Sequence, residues 1–237
     1  MNLGPRVAVV TGATGGLGSF VTRELAGRGA KLALLDMDPG RLDSLARQLD
    51  LPLDRLLTRT ANLLDPQEAL FAAEAVAVKF GKIDILLHLV GGWTGGKTLM
   101  AASAEDLTFM VNQHIWTTFN VTRAFVPYLV KNGWGRIVMI TSPFAARPAA
   151  GGGPYAAGKA GQEALMLTLA EEVKGTGVTA NLLQAKTIDI RREKRSNPTP
   201  ENASWTTPEE LSAGILYLLS DEAGTVNGAK IPLFGSS

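Results

Sequence analysis

The sequence predicts a doubly wound α/β domain, a seven-stranded parallel sheet of strand order 3-2-1-4-5-6-7 with helices on both faces. Three observations lead there. Short apolar runs alternate with apolar-periodic helical stretches along the whole chain before a last edge strand, the pattern of parallel strands joined by crossover helices. The runs RVAVVT at 6–11, KLALLD ending at Asp36, IDILLHLV at 83–90 and RIVMIT at 136–141 are nearly continuous in apolar residues, as strands buried on both faces require. The first of them passes straight into GATGGLG at 12–18. With 237 residues and 46% hydrophobic content, the chain can bury a substantial core as one domain.

The glycine turn between the first strand and a helical stretch at 20–25 reads as an anion site. Gly12, Gly16 and Gly18 let the backbone approach closely, and the free N–H groups and positive end of the helix face outward. Asp36 ends the second strand, where a carboxylate can accept from a ribose 2′-OH. Turn and acid together make a dinucleotide site, with a tight turn that binds nothing as the bland alternative. Residues 39–49 follow as a helix with Leu42, Leu45, Ala46 and Leu49 on one face. A third strand spans 55–60, and a helix at 66–80 is stopped by Gly81.

The fourth strand carries His88, for which two readings stand: a core histidine bonded to backbone, favoured here, or a new base. The GGWTGG loop at 91–96 falls where open α/β sheets bind ligands. Its Trp93 lines a substrate pocket, covers the sheet edge or meets a neighbouring subunit, and the residues alone do not choose. A long helical pattern at 104–130, bent near Pro127, holds Asn112, His114, Trp116 and Phe119. Asparagine is unfavourable in mid-helix, which points to a mechanistic duty for Asn112, while His114 and Trp116 read as interface packing.

Residues 136–141 deliver Ser142 to the carboxyl edge, and Pro154 opens a helix that runs to 173. Tyr155 and Lys159 are four apart, so a phenol and an ammonium leave one face of that helix. A phenol titrates at ~10 and a close cation favours the phenolate. The pair reads as acid/base machinery, with an ordinary i,i+4 contact as its alternative. After a sixth strand at 177–184, residues 190–206 form a short, polar, proline-containing substrate loop whose composition suggests a mobile lid or disorder. Its Arg191, Arg192, Lys194 and Arg195 read as solvated surface rather than as a site for an anionic substrate. Thr207 caps a helix at 207–219, and 229–233 closes the sheet.

Thr11-Gly12-x-x-x-Gly16-x-Gly18, Asn112, Ser142 and Tyr155-x-x-x-Lys159 resemble the cofactor motif and the Asn, Ser, Tyr, Lys tetrad of the short-chain dehydrogenase/reductase family, over nearly the whole chain. The resemblance implies a Rossmann fold and an oxidoreductase that moves hydride between NAD(H) and a secondary alcohol or carbonyl. In that reading Tyr155 exchanges a proton with the substrate oxygen and Lys159 holds the nicotinamide ribose and lowers the Tyr155 pKa. Ser142 fixes the carbonyl, and Asn112 supports a water-linked relay. Cofactor contacts are implied at Gly12, Thr14, Gly16, Leu17, Gly18, Asp36, Asn62, Leu63, Val90, Gly91, Lys186 and Ile188. Substrate contacts are implied at Trp93, Ser142 and Phe144, and so is a homotetramer.

The chain also departs from the family pattern. Asn62 stands for an aspartate, His88-Leu89-Val90-Gly91 for Asn-Asn-Ala-Gly, Ala185-Lys186 for Pro-Gly, and Ile190 for a threonine. These departures support a competing class, a dinucleotide-binding regulator or scaffold that keeps the fold without turnover. Asp36 favours NAD over NADP because a 2′-phosphate there would meet a like charge, and Gly15 supplies no cation to offset it. Arg41, five residues beyond Asp36, is the reservation.

Composition narrows the partners. A net charge of +1 and the lack of a basic run interleaved with aromatics argue against nucleic acid and acidic membrane. Zero cysteines exclude disulfides, thiol catalysis and thiolate ligands, and two histidines are too few for a histidine metal site, so no metal is expected. A strand at residue 6 leaves no room for a signal peptide, and no uncharged run approaches the ~18 residues of a spanning helix. The expected location is the cytoplasm and the expected partner a small-molecule substrate.

Overall fold

Alternate side chains of the central strands serve two different cores. Every residue of β1 (Val7–Thr11) and β4 (Ile85–His88) is buried. Val7, Val9 and Leu86 pack on the face covered by α3 (Pro66–Phe80), α5 (Thr117–Lys131) and α6 (Gly153–Glu172). Ala8, Val10, Ile85 and Leu87 pack on the other face, under α1 (Gly16–Gly27), α2 (Pro39–Leu49) and α8 (Pro208–Leu219). The period of two along extended backbone sorts them, and only residues that are apolar at every position satisfy both faces.

The computed structural model describes residues 1–234. With β2 (Lys31–Asp36), β3 (Leu56–Thr60), β5 (Gly135–Thr141), β6 (Val178–Gln184) and β7 (Lys230–Pro232), the sheet is parallel throughout. Its order is β3-β2-β1-β4-β5-β6-β7, as expected from the sequence. The register sets Thr11 beside His88 and His88 beside Met139, so the carboxyl ends of β1, β4 and β5 meet at the centre of one edge. Helix starts follow local chemistry. Asp38 and Asp65 accept from the first free N–H groups of α2 and α3, with Pro39 and Pro66 at the first helical position. Ser103 with Asp106 and Thr207 with Glu210 close capping boxes on α4 (Ala104–Val111) and α8.

Two differences from the sequence expectation bear on the site. The single helix expected over 104–130 is α4 and α5 joined by a π-helical turn, Asn112–Trp116, in which the Thr117 N–H reaches Asn112 O. Pro127 sits inside α5 without ending it. The extra residue in that turn rotates the inward face, a distortion often found at functional sites. The loop expected as a lid has structure of its own, with α7 (Glu193–Ser196) and a 3-10 turn at Asn202–Ser204. The Asp189 carboxylate accepts from the Glu193 and Lys194 N–H groups at 2.8 and 3.0 Å, and Arg192 pairs with Glu209 at 2.5 Å. Among the described residues, no helix is long and apolar enough to cross a membrane.

Candidate active site

The turn after β1 is tight enough to demand glycine. Gly12 has φ +65°, and a Cβ there would lie 3.0 Å from the Leu89 carbonyl group; a Cβ on Gly18 would lie 2.2 Å from Gly12 O. The turn ends at the first residue of α1, whose N-cap Gly15 offers no side chain to the free N–H groups. Uncapped N–H groups and the positive helix end together suit an anionic group. The residues present therefore fit a dinucleotide pyrophosphate. One contact alters that cradle: a Cβ at Gly16 would be 2.8 Å from the Ile190 side chain, so Ile190 packs directly on the turn.

Beside the turn, a cavity of about 240 Å³ is lined by Thr14, Asp36, Arg41, Asn62, Leu63, Val90 and Gly91. Asp36 Oδ2 accepts from the Thr14 N–H at 2.9 Å and from its hydroxyl at 2.7 Å, and Oδ1 accepts from the Met37 N–H at 2.8 Å. Arg41 reaches the same residue from the other side, donating to Thr14 O at 2.5 Å. Asn62 Oδ1 is already used by the Leu64 N–H at 3.1 Å, which leaves its amide N–H₂ as the free group.

A second cavity, of about 710 Å³, shares Gly12, Gly15, Leu89, Val90 and Gly91 with the first, so one groove runs along the carboxyl edge. It is lined by Gly16, Leu17, Gly18, Trp93, Phe144, Tyr155, Lys159, Lys186 and Ile188, together with His88 and His114. The sequence-predicted Tyr155 and Lys159 thus share one space with the glycine turn. Phe144 meets the Tyr155 ring edge-on at 6.5 Å. Ser142 is fully buried; its Oγ accepts from the Phe144 N–H at 3.3 Å and also acts on the Tyr155 hydroxyl, lowering its pKa. Trp93 is 65% exposed at the mouth of the groove, Lys186 approaches Ser204 Oγ at 3.5 Å, and Ile188 bridges to Thr206.

The electrostatics of the pair correct the sequence expectation. Burial raises the Tyr155 pKa, and the Ser142 hydroxyl works against that rise. The ammonium points elsewhere: Lys159 Nζ donates to Ile140 O at 2.8 Å and to Gln162 Oε1 at 2.9 Å. Burial brings its own pKa down to about 7, with the negative charge of Glu163 holding it up. Glu163 is buried one turn beyond Lys159 and accepts from Thr141 Oγ1 at 3.0 Å and Lys230 Nζ at 3.0 Å. For Lys159 desolvation outweighs proximity because the ammonium is buried and its nearest partners, Ile140 O and Gln162 Oε1, are uncharged, while Glu163 is already paired with Lys230.

Asn112 is not brought to this site. It lines a separate cavity with Leu64, Trp116, Phe119 and Arg123. His114 takes the place beside Tyr155, its ring edge-on at 5.6 Å and 1% exposed. The sequence carried a usable signal. The buried positions Met110, His114, Thr118, Val121 and Phe125 recur every three or four residues, and Asn112 falls between them. His88 is satisfied as favoured, although by threonine hydroxyls rather than backbone. Thr117 Oγ1 donates to Gln113 O at 2.8 Å, so His88 must donate through Nε2–H to Thr117 Oγ1 at 3.3 Å, and Nδ1 accepts from Thr11 Oγ1 at 2.7 Å. Burial first, and the Lys159 charge next, push His88 down to about 3, so it is neutral.

Fold and groove define a dinucleotide-binding α/β protein with a phenol and an amine at the carboxyl edge of its sheet. A family model described as short chain dehydrogenase matches residues 6–201, and the chain belongs to that family. It is 30% identical to the 3-oxoacyl-(acyl-carrier-protein) reductase FabG of Thermotoga maritima, covering 99% of this chain and 98% of that one. It is 28% identical to 2,3-dihydroxy-2,3-dihydro-p-cumate dehydrogenase of Pseudomonas putida, covering 98% and 94%. Among solved structures, an NADPH-bound short chain oxidoreductase with an atypical catalytic center from Pseudomonas aeruginosa PAO1 superposes with a TM-score of 0.88 at 24% identity, covering 98% of this chain and 96% of that one. At that identity the likeness speaks for the fold.

Proposed function

We propose that the protein is an NAD(H)-dependent oxidoreductase acting on a secondary alcohol or the matching carbonyl, with Tyr155 as general acid/base. The observation that carries this reading is the single groove in which the uncapped glycine turn, Tyr155 and Lys159 converge, with the buried Ser142 acting on the Tyr155 hydroxyl. When bound, the nicotinamide supplies or accepts the hydride. The turn from Gly12 to Gly18 would hold the pyrophosphate, Asp36 the adenosine ribose, and Val90, Gly91, Lys186 and Ile188 the nicotinamide end. Ser142 orients the substrate oxygen toward the phenol, and Tyr155 gives up or takes the proton there. Lys159 is the cation able to favour the phenolate once it turns from Ile140 O and Gln162, which brings the Tyr155 pKa back toward its working range. Trp93 and Phe144 supply an apolar wall for the substrate.

The relatives' names span a 3-oxoacyl thioester reductase and a dihydrodiol dehydrogenase. The test is therefore a screen of both 3-oxoacyl thioesters and cyclic vicinal diols with each nicotinamide cofactor, read by absorbance of the reduced ring. Turnover of one of these classes with NAD(H) supports the reading. A second reading, a dinucleotide-binding regulator, is favoured by Ile190 on the glycine turn and by the engagement of Lys159 away from Tyr155. Saturable cofactor binding with no turnover of any substrate would select it. We also infer a homotetramer from the exposed aromatic pair Trp116 and Phe119 and exposed Leu107 and Phe109, along α4, the π-helical turn and α5. A 25.0 kDa species by light scattering at micromolar concentration would end that inference.

A further inference from the structure

The cofactor reading leaves the Lys186 side chain over. Lys186 lies two residues beyond β6, at the carboxyl edge of the sheet, where the family pattern has a glycine. A glycine offers only backbone, so a contact to the nicotinamide at this position is available without the lysine side chain. The backbone on either side is pinned. The Ala185 N–H donates to Thr141 O at 3.1 Å, and the Thr206 N–H donates to Thr187 O at 2.9 Å. From that fixed root Lys186 lines the larger cavity together with Tyr155, Trp93 and Phe144.

The charges along this cavity are one-sided. Among the described residues its lining holds two cations, Lys159 and Lys186, and no carboxylate. Lys159 is buried and already donates to Ile140 O and Gln162 Oε1. Lys186 is exposed, and its ammonium meets the Ser204 hydroxyl at 3.5 Å, the outer limit of a hydrogen bond. The acids close to it are occupied elsewhere: Asp189 accepts from the Glu193 and Lys194 N–H groups, and Glu163 from Thr141 Oγ1 and Lys230. Arg192 and Lys194 of the same segment, by contrast, meet Glu209 and Glu210. An exposed lysine on open surface is ordinary. One that shares a concave, largely apolar wall with a reactive phenol is different, because the few polar groups of such a wall orient what binds there.

We infer that Lys186 is a specificity residue and that the substrate carries a carboxylate: as the reacting oxygen meets Tyr155, the carboxylate pairs with the Lys186 ammonium in a charge-assisted bond that a neutral ester does not make. The inference rests on the oxidoreductase reading above and narrows it to alcohols and carbonyls that bear a carboxylate, cyclic diols included.

Two measurements test it. In the first, Tyr155→Phe saturated with NAD⁺ is titrated by calorimetry with 3-hydroxybutanoate, with a dihydroxycyclohexane carboxylate and with the methyl ester of each. At least one acid should bind about tenfold or more tightly than its ester. Adding Lys186→Met should erase that preference, and Lys186→Arg should keep it, with the cofactor Kd within about threefold throughout. Acids that do not bind, acids and esters that bind alike, or a preference that survives Lys186→Met overturn the inference. So does a Lys186→Met variant that loses the cofactor, since the side chain would then serve the dinucleotide. The second measurement is turnover of the same compounds by the wild type, read by absorbance of the reduced nicotinamide. Turnover of the esters in preference to the acids removes this inference and leaves the oxidoreductase reading. Acid binding that depends on Lys186, with no turnover of any substrate, removes that reading and leaves the carboxylate site.

Discussion

At the Asp36 end of the groove the binding surface is backbone held by backbone and one carboxylate, whereas at the Tyr155 end it is side chains gathered from β4, the π-helical turn, β5 and α6. The first end consists of the glycine turn, the uncapped start of α1 and Asp36 pinned by Thr14. Its parts lie close in sequence and need only the β1–β2 pairing to meet. The second end depends on how deeply its groups are buried. There an ammonium four residues from a phenol is drawn to a carbonyl and an amide, and the phenol is raised rather than lowered. Geometry written in the backbone survives folding as read, while charge written in side chains is revalued by the environment that folding builds.

The comparison breaks most decisively at the phenol. Tyr155→Phe keeps the ring and its contacts with His114 and Phe144 but removes the proton. We expect kcat to fall by about 10² to 10⁴-fold with cofactor Kd unchanged, measured by steady-state kinetics and fluorescence titration. A variant that keeps a tenth of the rate would take the acid/base role from Tyr155.

At the other end the turn itself is the target. Gly18→Ala puts a Cβ within 2.2 Å of Gly12 O, and backbone cannot yield as a side chain can. Stability should drop by about 1–3 kcal/mol, seen in urea unfolding, and cofactor binding should weaken with it. An alanine variant with native stability and affinity would show that the turn is looser than a 2.2 Å approach to Gly12 O allows.

Asp36 sharpens the contrast because it is the one charged group at the backbone end whose duty is selective. Wild type should prefer NAD(H) over NADP(H) by about 1–2 kcal/mol, and Asp36→Ala should erase most of that gap. Arg41 on Thr14 O is placed to gain from the loss of the acid. Equal affinities in wild type would mean that the Asp36–Thr14 bonds are structural only.

The last test reads the burial of Lys159 directly. Its pKa is about 7 folded against an ordinary 10.5, so between those values the unfolded chain binds more protons than the folded one. Stability from this group therefore rises with pH across that window, by at most about 1.4 kcal/mol per pH unit, and is lost below it. Lys159→Met should flatten that rise when unfolding is compared at the two ends of the window. An unchanged slope would mean that Lys159 keeps its proton.

The order of strands, the two-faced core and the dinucleotide turn were legible in the sequence, because each follows from local pattern: continuous apolar runs, glycines where a Cβ clashes, and an acid at a strand end. Tyr155, Lys159, Trp93, Phe144 and Asp36 were also placed along the groove by spacing and element ends, with Ser142 buried behind Tyr155. The spacing of Met110, His114, Thr118, Val121 and Phe125 already set His114 on the inward face and Asn112 off it; what the residues could not tell is that a π-helical turn joins the two helices there. Nor could they tell that the Ile190 segment folds back on Gly16, that His88 finds two threonine hydroxyls, or that Glu163 and Gln162 stand behind Lys159. Each of these depends on partners distant in the chain, and the sign of a pKa shift depends on the balance of desolvation and charge. Only the packed tertiary structure sets that balance.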